Sequence, residues 1–521
     1  MKRIISFSLL LLLSVALLSQ PVTSSEIDRL VARTMETFNV PGIAVGVVKD
    51  GRLIHAKGYG VRSINTMERM DENTLFAIAS NSKAFTAAAL AILIDEGKLK
   101  WDSRVTDIIP EFRLYDPYVT EEFTIADLLT HRSGMGLGAG DLMLWPDSAR
   151  FSKDEIIHNL RYLPRVSSFR TKYDYDNLLY VVAGEVVFRI TGMSWEEFVE
   201  TRIMKPLAMN MSAASFARLK DRSNIIDAHV PVDGKLQVVP KQEGKMHNSA
   251  GGIYSNVTDM SKWVITQING GRYGKDPAQQ LFSDDRHREM WTMHTIIPVR
   301  GTSSYNTHFY GYGLGWFLSD VKGYFQASHT GGLMGIVTQV TIIPELQLGI
   351  IVFTNQQEGA AFTAISNTIK DSYLGIKGID RVKEQHDRVQ KNQAEAAKIT
   401  GEIWTRIAEQ QKKSDLAINH DLYTGTYTDI WFGDIIIYSA EGKLRFKSVK
   451  SPKMRGEMIY YTGNTFIVKW DDRSLDADAF AVFSLDRNGR PAGITMEAIS
   501  PLTDFSFDFH DLNLIRQETD N

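Results

Sequence analysis

Ser80-Asn81-Ser82-Lys83 sets a hydroxyl and an amine three positions apart at the start of an apolar stretch. On a helix, that spacing puts both side chains on one face, one turn apart. A serine hydroxyl is a poor nucleophile until a neighbouring base takes its proton. A lysine can be that base only where burial and nearby positive charge hold it neutral. The same spelling recurs at Ser319-Asp320-Val321-Lys322, but there Asp320 in a polar turn would keep Lys322 charged. Tyr175-Asp176-Asn177 adds a phenol able to relay protons and an amide able to hold a substrate carbonyl. Read alone, it is equally a core tyrosine followed by a turn-forming asparagine. His329-Thr330-Gly331-Gly332 follows an expected strand, Tyr324–Ser328. Its glycine pair would let a substrate backbone approach closely, and free N–H groups there could help bind an oxyanion. Alone, these residues also read as a simple turn.

Composition narrows the chemistry. The chain has 521 residues, 43% hydrophobic and 23% charged, ordinary for a globular protein. A net charge of −4 gives no support to a basic nucleic-acid binder. The absence of cysteine removes disulfides, thiolate nucleophiles, iron–sulfur clusters and cysteine zinc sites. No His-Glu-x-x-His spacing suggests zinc and no glycine-rich loop suggests a phosphate site, so no metal and no organic cofactor is expected.

Certain elements must position these residues. Ile43–Val48 and Leu53–Tyr59 flank Lys49-Asp50-Gly51-Arg52, a hairpin signal, behind a helical stripe ending at Phe38. Ser80 to Gly97 is apolar almost all round, as in a helix buried on most faces. Tyr324–Ser328, Ile336–Ile343 and Leu348–Thr354 read as successive strands, and Ala360–Tyr373 as a closing helix. The expected fold is α/β (α+β): an antiparallel sheet made from both ends of a domain and flanked by helices. The expected division is a signal peptide at 1–24, a hydrolase domain at 25–376, a charged helical linker at 377–415 and a small β-barrel at 416–521. Lys2 and Arg3, the apolar run from Ile4 to Leu18 and the small residues that follow carry the first reading and imply a secreted or periplasmic protein. The run is too short to span a bilayer, and no second segment looks transmembrane. Short β-type runs, among them Tyr427–Trp431, Ile435–Tyr438 and Thr465–Trp470, carry the barrel reading.

Taken together and in this order, the three motifs resemble the serine β-lactamase and penicillin-binding-protein superfamily, on its class C and D-Ala-D-Ala carboxypeptidase branch. Phe76-Ala77-Ile78-Ala79-Ser80, Thr124 to Met135, Pro206-Leu207-Ala208-Met209 and Ala250 to Ser255 extend the likeness from Ser25 to about Gly375. The resemblance places Tyr254-Ser255-Asn256, which shares the spelling of the second motif, in a loop away from the nucleophile. It implies a Ser80 acyl-enzyme, Lys83 as proton acceptor, Tyr175 as general base or shuttle, and Asn177 orienting Lys83 and the substrate amide. It further implies an oxyanion hole from the N–H groups of Ser80 and Gly332. His329 stands where many relatives carry lysine. With an ordinary pKa near 6.5, it is largely uncharged at neutral pH. That favours a peptidase or esterase over antibiotic hydrolysis, the D-aminopeptidase branch included, with short peptides, amides or esters as substrates. A β-lactamase and a slowly deacylating penicillin-binding sensor are the alternatives. Leu422 to Tyr427 resembles the lipocalin-like appendage of some such hydrolases. Such a barrel would restrict the site's mouth, mediate self-association into a homo-oligomer, or be passive. His131, in a structural segment of the family, is expected to pack.

Overall fold

The computed structural model describes residues 21–241, 243–274, 279–301, 303–412 and 418–518. Most of the segment read as a signal peptide, up to residue 20, lies outside the described residues. Helix α1 (Ser24–Phe38) starts at Thr23, whose side chain caps the Glu26 N–H while Glu26 reaches back to the Thr23 N–H.

Eight strands form one antiparallel sheet. They are β1 (Gly42–Lys49), β2 (Arg52–Gly60), β3 (Thr295–Ile296), β4 (Tyr310–Tyr312), β5 (Phe317–Val321), β6 (Tyr324–Leu333), β7 (Ile336–Ile343) and β8 (Leu348–Thr354). Their order is β2-β1-β8-β7-β6-β5-β4-β3, so the chain's opening hairpin pairs with the closing strand β8. The β1–β2 turn is made by Asp50 and Gly51, both at positive φ (50° and 71°), the conformation a tight two-residue hairpin requires. Alternation along the strands divides the core. Ile43, Val45, Val47, Ile350 and Val352 join α1 and helix α6 (Gly359–Leu374) on one face. Ala44, Val48, Ile351 and Phe353 face the opposite cluster.

That second cluster holds α2 (Lys83–Asp95), in which every residue from Lys83 to Ile94 is buried. Three further helices surround it: α3 (Leu178–Thr191), α4 (Asn248–Gly251) and α5 (Val257–Ile268). Phe85 of α2 stacks on Trp263 of α5 with ring centroids 4.0 Å apart, a geometry that contributes roughly 0.5–1.5 kcal/mol beyond area burial. Among the described residues no single helix is long and apolar enough to cross a membrane.

Helix α7 (Arg381–Gln411) leads to a closed eight-stranded barrel. Its strands are β9 (Gly425–Asp429), β10 (Gly433–Ala440), β11 (Lys443–Ser448), β12 (Arg455–Thr462), β13 (Thr465–Trp470), β14 (Ala479–Leu485), β15 (Pro491–Ala498) and β16 (Leu514–Arg516). The interior is filled by rings, with Phe466 and Phe483 edge-on at 5.6 Å and Phe446 and Trp470 at 5.4 Å. Ile403 and Ile407 of α7 pack on Ile467 and Ile499, tying the helix to the barrel wall.

Two expectations need correction. Strand β9 stops at Asp429 instead of continuing to Trp431, because the Asp429 carboxylate accepts the N–H groups of Trp431 and Phe432 and turns the chain. Strand β6 does not stop at Ser328. Its pairing with β5 ends there (Ser328 opposite Phe317), but Ser328 to Leu333 stay paired with Thr341 to Ile336 on β7. His329–Gly332 therefore belongs to a strand with one edge released, not to a turn after it.

Candidate functional site

The nucleophile candidate sits on a strained turn. Ala79 adopts φ 49°, left-handed for a residue with a side chain, which costs of order 1–3 kcal/mol and persists only where the surroundings hold it. Here the Ile78 N–H donates to Ile253 O (2.8 Å) and the Thr338 hydroxyl donates to Ile78 O (2.8 Å). Asn81 Nδ2 donates to Thr338 Oγ1 (2.9 Å). The turn Ala79–Ser82 then runs into α2, leaving Ser80 half-buried and Lys83 fully buried. A Cβ on Gly331 would come within 2.3 Å of Ile78 O, so glycine is what lets β6 lie against this turn. Gly332 faces open space, with nothing within 4 Å of where its Cβ would be.

Lys83 Nζ has three polar neighbours: Ser80 Oγ at 3.2 Å, Asn177 Oδ1 at 2.7 Å and Ala250 O at 2.9 Å. Two of these can only accept. A neutral amine has two hydrogens, which those acceptors take, and one lone pair, which is left for the Ser80 hydroxyl. Burial pulls Lys83 down to about 7, against the pull of Asp141 and Asp176 in the other direction. Its amine also lies 4.8 Å and 5.1 Å from the ring centres of Tyr175 and Tyr180.

Tyr175 is half-buried in the cavity wall, and desolvation raises its phenol well above the ordinary value, opposed by a hydrogen bond to Ser80. It is a phenol at neutral pH, not a phenolate. Asn177 stands at the entrance to α3, where its Nδ2 donates to Asp141 Oδ2 (2.8 Å). That bond fixes which end of the amide faces Lys83. His329 is buried within β6. Its Nε2 lies 2.8 Å from the Tyr312 hydroxyl and its Nδ1 2.5 Å from Thr330 O. The carbonyl can only accept, so Nδ1 carries the proton and Nε2 accepts from Tyr312. Burial, reinforced by Lys83, pulls His329 down to about 3, so it is an uncharged wall residue with both nitrogens already engaged.

Ser80, Tyr175, Asn177, His329, Thr330 and Gly332 line one cavity of about 560 Å³. Lys83 and Gly331 lie directly behind them. The sequence reading missed other parts of this cavity. Asp141 and Asp176 are fully buried carboxylates close to Lys83, pushed up to about 8 and about 7 chiefly by burial. His247 also lines the cavity, packed against Trp145 with rings 4.7 Å apart. The largest omission is the far wall, where Leu502, Asp504, Phe505, Ser506 and Phe507 arrive from the β15–β16 connection of the barrel. No periodicity marks such a loop, and nothing in its composition points towards Ser80. His131 packs as expected, its ring 4.2 Å from that of Tyr175 and its Nδ1 accepting the Asp176 N–H. Lys322 lies at the β5–β6 turn with φ 53°, outside the cavity lining.

Residues 27–373 match the family model described as Beta-lactamase, and residues 409–516 match a domain of unknown function, DUF3471. The unguisins hydrolase ungD of Aspergillus violaceofuscus is 25% identical over 446 residues, covering 80% of this chain and 77% of that protein. Protein flp of Staphylococcus aureus (strain N315) is 23% identical over 338 residues, 64% of this chain and 63% of that protein. Among solved structures, the octameric penicillin-binding protein homologue from Pyrococcus abyssi superposes with a TM-score of 0.60 at 20% identity, covering 95% of this chain and all of the other. SurE with D-Leu superposes at 0.54 with 16% identity, covering 95% of this chain and 99% of the other. With a catalytic-type fold matched over two thirds of its length, the chain belongs to the beta-lactamase family and is a hydrolase of that family.

Proposed function

We propose that the protein is an exported serine hydrolase that cleaves short peptides, amides or esters, D-amino-acid-containing ones included, through a Ser80 acyl-enzyme. The observation that carries this reading is the Lys83 amine, 3.2 Å from Ser80 Oγ with both of its other directions filled by acceptors. Ser80 Oγ attacks the substrate carbonyl carbon and its proton passes to Lys83. The N–H groups of Ser80 and Gly332 receive the oxyanion, where one donor is worth about 2.7–4 kcal/mol in a serine hydrolase. Collapse breaks the bond to the amine or alcohol, which leaves with a proton delivered from Lys83 through the Tyr175 phenol. Water, losing a proton along the same path, then releases the acid and restores Ser80.

The wall chemistry supports an amide or ester substrate over a β-lactam. Among the described residues the cavity lining contains no lysine or arginine, and the residue in the position where many relatives carry lysine, His329, is uncharged. The neighbour solved with D-Leu supports the D-residue part of the reading, and the charged, apolar and small-residue start of the chain supports export.

The test is a panel of D- and L-aminoacyl amides, esters and a cephalosporin, run on wild type and Ser80→Ala. Turnover of amides or esters by wild type alone is the expected result. Rapid cephalosporin turnover would replace this reading with a β-lactamase. A single burst without a steady state would replace it with a sensor, and equal cleavage by both proteins would remove Ser80 from the chemistry.

A further inference from the structure

The barrel does more than wall the cleft. Ser506, in the β15–β16 connection, donates its hydroxyl to Asp141 Oδ2 at 2.9 Å, the same oxygen that accepts Asn177 Nδ2 at 2.8 Å. Asn177 Oδ1 in turn accepts from Lys83 Nζ at 2.7 Å. A hydrogen-bonded chain thus runs from the barrel through Asp141 and Asn177 to Lys83 and Ser80, joining residues more than 400 positions apart. The other Asp141 oxygen, Oδ1, is buried with no hydrogen-bond partner among the described residues. The Asp141 carboxylate is therefore held from one side only, by those two donors.

Two neighbours of Ser506 fix the turn that carries Asp141. The Asp508 carboxylate accepts the Gly140 N–H (2.6 Å) and the Leu142 N–H (3.1 Å). Phe505 presses on Gly138 so closely that a Cβ there would lie 2.6 Å from Phe505 O, and its ring meets Tyr175 edge-on at 5.7 Å. The Gly138 N–H also donates to Tyr175 O (2.8 Å). The backbone around Asp141 is thus clamped, leaving the Ser506 hydroxyl and the Asn177 amide to hold the direction of its carboxyl group.

We propose that Ser506 is a positioning residue for the base: its hydroxyl holds Asp141, and through it Asn177, in the arrangement that aims Lys83 at Ser80. The proposal rests on the reading of Ser80 and Lys83 given above. The titratable groups facing Lys83 are Asp141, Asp176, His131, His247, His329, Tyr175 and Tyr180. Those facing Asp141 are Lys83, Asp176, Tyr175 and Asp508. Ser506 donates to the charged form of Asp141, so its loss favours the protonated carboxyl. Asp141 is itself held up at about 8, so it is only partly ionised where Lys83 titrates, and its fuller protonation lets the amine lose its proton at slightly lower pH.

The test uses the full-length protein and a fluorophosphonate probe, whose phosphorus forms a bond to Ser80 Oγ while fluoride leaves and the proton goes to Lys83. The second-order labelling rate is read from pH 5 to 9 for wild type, Ser506→Ala and the isosteric pair Ser506→Thr and Ser506→Val, with the labelled peptide identified by mass. Ala and Val should lower the alkaline plateau about 3- to 10-fold, the loss of one hydrogen bond, and move the acid limb to lower pH. Thr should keep both. Merely structural loosening would lower the plateau without moving the limb. The proposal is overturned if Ala matches wild type, if Thr and Val behave alike, or if the limb stays fixed in all three. Wild-type labelling at a residue other than Ser80 would instead overturn the underlying nucleophile reading.

Discussion

Among the described residues two lysines are buried, and burial brings both to about 7. Lys83 faces a hydroxyl at 3.2 Å beside an open cavity. Lys370, on α6, lies 3.9 Å from the centre of the Tyr305 ring and donates to Gln326 Oε1 at 3.0 Å. Its neighbours are the buried Arg381–Asp371 pair, and it does not line the cavity that holds Ser80. Desolvation makes either amine neutral, but only the first has a lone pair directed at something it can activate. A perturbed lysine therefore marks a candidate, and geometry decides what it does.

That contrast can be broken at several points. The largest expected effect is Ser80→Ala, which should lower turnover by at least about 10⁴-fold, measured by steady-state hydrolysis of the best substrate in the panel. Lys83→Met should cost about 10²–10⁴-fold, the usual share of a general base, whereas Lys370→Met should leave turnover within about twofold; equal losses would erase the distinction between the two sites. Next comes pH. Lys83 acts unprotonated, so acylation should fall about tenfold per unit below pH 7 and level off above it, in single-turnover measurements with an ester. A flat profile between pH 5 and 8 would mean that Lys83 is not the group being titrated.

The smallest expected effect concerns stability. Lys370 is neutral when folded near pH 8 but protonated when unfolded, so the unfolded state binds more protons between about pH 7 and 10. Wild-type stability should therefore rise with pH across that window, and Lys370→Met should remove up to about 1.4 kcal/mol per pH unit of that slope. Denaturant unfolding at pH 7, 8 and 9 would show it; identical slopes would mean that Lys370 stays charged inside the fold.

Legibility in the sequence followed the kind of signal each residue leaves. The β1–β2 hairpin, β7, β8 and the buried α2 helix leave periodicity, and Asp50-Gly51 leaves a turn signature, so their positions are readable within one to three residues. The short strands β3 to β5 go unread, and β6 runs past its expected end at Ser328 to Leu333. Ser80, Lys83, Tyr175, Asn177 and His329 leave motifs whose order carries meaning even though the folding that gathers them does not show. Asp141 leaves neither: it sits among glycines, and a carboxylate that will be buried is spelled like one that will be hydrated. Ser506 is a small polar residue in a connection between strands, and its importance arises entirely from a contact 365 residues back along the chain. Strand β9 ended early for a similar reason, because one side chain, Asp429, competed with the ladder for backbone N–H groups.

The contact between the β15–β16 connection and the Gly138–Leu142 turn has a consequence for biosynthesis. A ribosome finishes the nucleophile's own neighbourhood early, and domains generally fold from the amino terminus first during translation. Yet the last wall of the cleft, with the Ser506 hydroxyl, emerges more than 400 residues after Ser80. A nascent chain thus carries an unfinished pocket until the β15–β16 connection has emerged and settled against the Gly138–Leu142 turn.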